Sequence, residues 1–66
     1  MKTVTIDIVF IDGEKAYMIY RRSKDGVNEY LTPEMKFDRY IGSRGYIRKW
    51  ENVVKIVNKI FTGEIN

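Results

Sequence analysis

Residues 17–31, "YMIYRRSKDGVNEYL", decide how this chain folds. Two runs rich in tyrosine and aliphatic residues flank Asp25-Gly26, a dipeptide suited to a tight β-turn. The same signal stands one strand earlier, at Asp12-Gly13, behind "VTIDIVFI" (residues 4–11). That run alternates and is rich in β-branched residues, as a half-buried strand requires. Two Asp-Gly turns in succession predict an antiparallel meander, with strands over about 2–11, 16–24 and 27–32.

Beyond it, Pro33 ends the third strand. In "EMKFDRYIGSRG" (residues 34–45), Phe37, Arg39 and Ile41 alternate weakly, which fits a short fourth strand or an ordered loop over 33–43. From Tyr46 the period changes. Tyr46, Ile47, Trp50, Val53, Val54, Val57, Ile60 and Phe61 recur at three- and four-residue spacing, and Gly63 follows as a stop. An amphipathic helix is expected over about 45–62, with Glu51 and Lys55 as an i,i+4 pair. The expected fold class is α+β: an antiparallel β-meander of three strands, or four, packed on one C-terminal helix, all in one small domain over 1–66.

Hairpin parity then sorts the side chains. A two-residue turn at Asp12-Gly13 sets Ile8 opposite Tyr17 and Ile6 opposite Ile19. A two-residue turn at Asp25-Gly26 would set Lys24 opposite Val27, Arg22 opposite Glu29 and Tyr20 opposite Leu31. One face would hold Val4, Ile6, Ile8, Phe10, Tyr17, Ile19 and Tyr30, covered by the helix. The other would expose Thr5, Asp7, Val9, Ile11, Met18, Tyr20, Arg22, Lys24, Val27, Glu29 and Leu31, a mixed face whose middle (Val9, Met18, Tyr20 and Leu31) is more apolar than an ordinary solvated face. Residues 33–45 with Met35, Phe37 and Tyr40, a second copy of the chain, or a foreign protein are the three ways to cover it.

Composition narrows the chemistry. The 66 residues contain no cysteine and no histidine, which removes disulfides, thiol nucleophiles, histidine acid–base catalysis and His/Cys metal sites. Ser23 and Ser43 have no histidine to activate them, and Asp7, Asp12, Glu14 and Glu29 read as turn or surface carboxylates. No enzyme, cofactor or metal is expected. "GSRG" at 42–45 has neither the spacing nor the lysine of a P-loop. The apolar run at the N-terminus is broken by Asp7, so neither a signal peptide nor a membrane span is expected, and a cytoplasmic setting fits, the host cell of a phage included.

The formal charge is +3, unevenly spread. Residues 1–34 carry five Lys/Arg against six Asp/Glu, and residues 35–66 carry seven against three. On the expected helix, Arg44, Arg48, Asn52, Lys55 and Lys59 form one stripe, which with Arg39 offers a ridge for phosphates or an acidic protein surface.

A three-stranded meander followed by one helix, with the hairpin "YRRSKDGVNEYL" (residues 20–31), resembles the arm-type DNA-binding domains of phage and transposon integrases. The resemblance is one of architecture. It implies an exposed sheet face in the major groove, with Tyr20, Arg22, Lys24 and Glu29 nominated for contact. The basic "GKR"-type run that usually precedes the helix in that family is replaced here by "GSRGYIRKW" (residues 42–50). Very small, basic, non-catalytic chains are also similar to the inhibitors that phages direct at host nucleic-acid enzymes, anti-CRISPR proteins among them. The expected function is therefore a protein-binding module or inhibitor acting on a larger nucleic-acid-processing protein. The alternative is direct DNA or RNA binding through the basic stripe and the second hairpin.

Overall fold

The computed structural model describes residues 3–65. Lys2, placed by the sequence pattern at the start of the first strand, lies outside them. Strand β1 (Thr5–Ile11) pairs antiparallel with β2 (Glu14–Arg22), from Ile11 opposite Glu14 to Thr5 opposite Tyr20. Asp12 and Gly13 between them both have positive φ, 52° and 80°. This is the type I′ geometry, whose twist matches that of the strands. The expected pairs Ile8–Tyr17 and Ile6–Ile19 both form.

The second hairpin corrects the expected parity. Strand β3 (Asn28–Leu31) sets Tyr30 opposite Tyr20, Glu29 opposite Arg21 and Asn28 opposite Arg22. The Gly26 N–H donates to the Ser23 carbonyl and the Ser23 N–H to that of Val27. The loop is thus three residues, Lys24 to Gly26, with Gly26 in the left-handed region at φ 83°. Such a loop ends in a glycine bulge and shifts the register by one residue, which exchanges the two faces of β3. Leu31 therefore turns inward and Tyr30 outward.

A second three-residue loop, Pro33 to Met35, leads to strand β4 (Phe37–Asp38), which pairs Phe37 with Leu31. The Met35 N–H donates to the Thr32 carbonyl and the Thr32 N–H to that of Lys36. Of the two expectations for residues 33–43, the short strand is the one that forms. The sheet order is β1-β2-β3-β4, followed by a 3₁₀ turn at Ile41–Ser43.

The helix α1 spans Trp50–Phe61, several residues shorter than expected at its start. Tyr46 and Ile47 satisfy helical spacing, but β2 makes a stronger demand on them. β3 covers only the C-terminal end of the nine-residue β2, and the N–H and C=O of Tyr17 remain to be bonded. Ile47 bonds both, at 2.7 and 2.9 Å, in extended conformation. Gly45 makes the crossing close: its N–H donates to the Leu31 carbonyl, and a Cβ there would stand 3.0 Å from the Pro33 nitrogen. Gly63, at φ 85°, ends the helix as expected. The Glu64 N–H reaches back to the Lys59 carbonyl and that of Gly63 to Ile60, a Schellman arrangement. It returns Ile65 to the core.

The core lies between the sheet and α1. Tyr17, Ile19, Leu31, Val53, Ile60 and Ile65 are buried, with Val4, Ile6, Phe37, Ile47, Ile56 and Val57 packed around them. Tyr30, expected in this core, is absent from it. Phe37, considered as a cover for the opposite face, belongs to it.

Candidate protein-interaction surface

Strand β1 is an edge of the sheet. Around a two-residue turn the closing pair, Ile11–Glu14, exchanges hydrogen bonds, and bonded pairs then alternate along an antiparallel ladder. Thr5, Asp7 and Val9 therefore bond inward to β2, while Ile6, Ile8 and Phe10 turn their N–H and C=O groups outward. The Tyr17–Ile47 bridge supports this assignment independently, because Tyr17 bonds away from Ile8. Among the described residues no strand pairs with this outer edge.

The same three residues put their side chains on the helix side of the sheet, where α1 does not reach them all. Twelve helical residues extend about 18 Å, whereas the nine residues of β2 extend about 30 Å. Ile8 and Phe10 lie beyond the covered part and are 60 % and 72 % exposed. Helix geometry widens the gap. At 100° per residue, Val53, Ile56, Val57 and Ile60 face the sheet, while Trp50, Val54 and Phe61 fall on the adjoining flank. Trp50, tilted against Tyr17 with ring centres 5.3 Å apart, is 54 % exposed, and Val54 is 43 % exposed. A small apolar cleft of about 130 Å³ runs between Ile6 on β1 and Val54 and Val57 on the helix. The expectation that Ile8, Phe10, Trp50, Val54 and Phe61 fill the core is thus corrected: they form an exposed apolar flank beside an unpaired strand edge.

The opposite sheet face is more closed than its composition suggests. Met18 is only 9 % exposed and Val9 is half-buried. Leu31, expected here, is 3 % exposed and in the core, because of the three-residue loop. Tyr20 packs on Tyr30 at 5.9 Å, while Arg22 and Lys24 are exposed. The expected Arg22–Glu29 pair is replaced by Arg21–Glu29 at 2.9 Å.

The basic stripe is also divided. Arg44 and Arg48 precede the helix: Arg44 donates to the Ile41 carbonyl and Arg48 reaches Glu14 at 3.2 Å. Arg48, Lys55 and Lys59 do come together, joined by Lys49, which spacing did not single out. They line a shallow groove with Tyr46, Met35 and Asn52. Arg39 is elsewhere, bonded to Asp25 at 2.9 Å and approaching Glu29 at 4.0 Å. The Ser23 hydroxyl donates to Asp25, and this bond, with Arg39 beside it, holds the Asp25 carboxyl below its ordinary range.

Among the described residues no group of three or more acidic side chains is placed to hold a metal ion, and no helix is long and apolar enough to cross a membrane. Searches against protein-family models, curated proteins and solved structures found no match. The geometry is that of a small α+β domain in which the outer edge of β1 is open among the described residues, with an apolar flank beside it and a basic groove beyond the helix.

Proposed function

We propose that this chain is a small non-enzymatic protein-binding module that docks its β1–α1 flank on another protein. The expected target is a larger nucleic-acid-processing protein, on which the module acts as an inhibitor. One observation carries the reading: Ile8, Phe10, Trp50 and Val54 are exposed together beside the unpaired edge of β1. Aromatic anchors at the centre of an apolar patch are the usual source of protein-binding energy, and a free strand edge adds main-chain hydrogen bonds. The groove of Arg48, Lys49, Lys55 and Lys59 suits an acidic rim on the same target.

Direct nucleic-acid binding is the second reading. The Tyr20–Tyr30 pair on the free sheet face, next to Arg22, favours it as a stacking platform, with the groove of Arg48, Lys55 and Lys59 to hold phosphates.

The test compares the native chain, Phe10→Lys and the double variant Lys55→Glu/Lys59→Glu, each immobilised and exposed to cell extract. In parallel, each is titrated with mixed-sequence DNA and RNA across a salt series. Retention of a discrete protein lost in Phe10→Lys supports docking through the flank. Oligonucleotide binding with a steep salt slope, lost in the double variant and indifferent to Phe10→Lys, would overturn it in favour of nucleic acid.

A further inference from the structure

The geometry points to a second copy of this chain as the occupant of the β1 edge, paired antiparallel through a twofold axis at Ile8. This rests on the flank being a protein contact and names what covers it when no other partner is bound.

Three observations converge. First, the outward N–H and C=O groups belong to Ile6, Ile8 and Phe10, the residues whose side chains lie on the exposed apolar side. A second strand added there gains backbone bonds and apolar contact together.

Second, the strand is complementary to itself in one register. With Ile8 opposite Ile8 of the second copy, Ile6 meets Phe10 and Phe10 meets Ile6, and all seven residues of β1 are used. Asp7 then faces Val9. Sliding by two residues in one direction would set Asp7 against Asp7, two like charges directly opposed. Sliding the other way would run Ile6 into Asp12 of the turn. The sequence of β1 thus favours the centred pairing, which uses the whole strand, over the two neighbouring registers of the same hydrogen-bonding phase.

Third, the area is sufficient. A tryptophan or phenylalanine buries roughly 150–250 Å² when fully covered. The exposed parts of Ile8, Phe10, Trp50 and Val54 on both copies, with the paired backbone, come to roughly 1,000 Å², the lower bound for a specific interface. Trp50 lies against Tyr17, directly across from Ile8, so the axis brings the two Trp50 rings toward each other. The product is an eight-stranded sheet with β1 at its centre and two helices on one side. A larger partner that uses the flank then competes with the second copy.

Sedimentation velocity up to about 1 mM, read with the emission of Trp50, the one tryptophan, tests this. Doubling of the mass with a blue shift of Trp50 is expected. Ile8→Lys and Phe10→Lys, both at exposed positions and checked for folding by circular dichroism, should stay monomeric. Oxidised Ile8→Cys should cross-link into a dimer, because a hydrogen-bonded antiparallel pair holds its Cα atoms about 5.5 Å apart, within disulfide reach. Val9→Cys should not. A monomer at every concentration would overturn the inference, as would a dimer that survives Phe10→Lys or cross-links through Val9→Cys. Protein retention from extract that still depends on Phe10 would then leave the docking reading standing. Loss of both would sink both.

Discussion

The guanidinium carbon of Arg21 lies 3.8 Å from the centre of the Phe37 ring. Arg21 shares the inward face of β2 with Tyr17 and Ile19, and its Nε donates to Glu29 across the strand pair at 2.9 Å. An ion pair and a stacked ring therefore close the end of the core next to Ile60. Both charged side chains are mostly shielded, so the contact is stronger than a surface pair. Arg21→Ala should lower stability by about 1–2 kcal/mol, measured by urea denaturation. Arg21→Lys should restore less than half of it, since an ammonium cannot both stack and fork. Full recovery with lysine would show that only charge matters.

The corrected register of β3 makes opposite demands on two adjacent residues. Leu31 is in the core and Tyr30 is outside it, packed on Tyr20. Leu31→Ala should cost about 2–4 kcal/mol, whereas Tyr30→Ala should cost about 1 kcal/mol. A two-residue turn at Asp25-Gly26 would reverse that order, so the pair of denaturation curves separates the two registers.

The same hairpin shows what the sequence could and could not disclose. Asp12-Gly13 and Asp25-Gly26 look alike, but Asp-Gly serves both a two-residue turn and the end of a three-residue loop, and the two give opposite parity. Only the positions of Ser23 and Val27 in the folded chain decide between them. The start of α1 was hidden for a related reason: Tyr46 and Ile47 have helical spacing, yet the unpaired backbone of Tyr17, a long-range partner, draws Ile47 into a bridge. The candidate surface was legible in residue type, since Ile8, Phe10, Trp50 and Val54 all stood out as apolar. Its exposure was not, because it depends on a helix too short for its sheet.

Met35 occupies the left-handed region at φ 64°, the place that Gly26 takes in the equivalent three-residue loop. A side chain there strains against its own carbonyl. Met35→Gly removes that strain and adds freedom to the unfolded chain, so the net gain should be a few tenths to about 1 kcal/mol. A loss of stability would mean that the half-exposed Met35 side chain contributes more packing than its backbone costs.

Asp25 should report the integrity of the second hairpin in acid. Its carboxyl is held low by the Ser23 hydroxyl first and the Arg39 guanidinium after it. A folded value below the unfolded one, about 3.9, means that the contribution to stability is complete above that value. It is lost as the pH falls through the lower folded value. A carboxyl chemical-shift titration should find the midpoint of Asp25 below that of an unstructured aspartate. Ser23→Ala should raise it more than Arg39→Ala does. An unchanged midpoint in Ser23→Ala would remove the hydroxyl as the main cause.

Phe10 distinguishes a side chain kept for the fold from one kept for contact. At 72 % exposed it adds little to the core, and its strand neighbour Lys15 already lies in solvent. Phe10→Lys should therefore change stability by less than about 0.5 kcal/mol, measured at a concentration at which sedimentation finds only monomer. It should also raise solubility, because an apolar ring beside an open strand edge is a site of self-association. Ile19→Ala, on the same face but fully buried, should cost about 2–5 kcal/mol. If Phe10→Lys destabilised the dilute monomer as much as Ile19→Ala, the flank would belong to the fold, and the docking surface would have to be sought elsewhere.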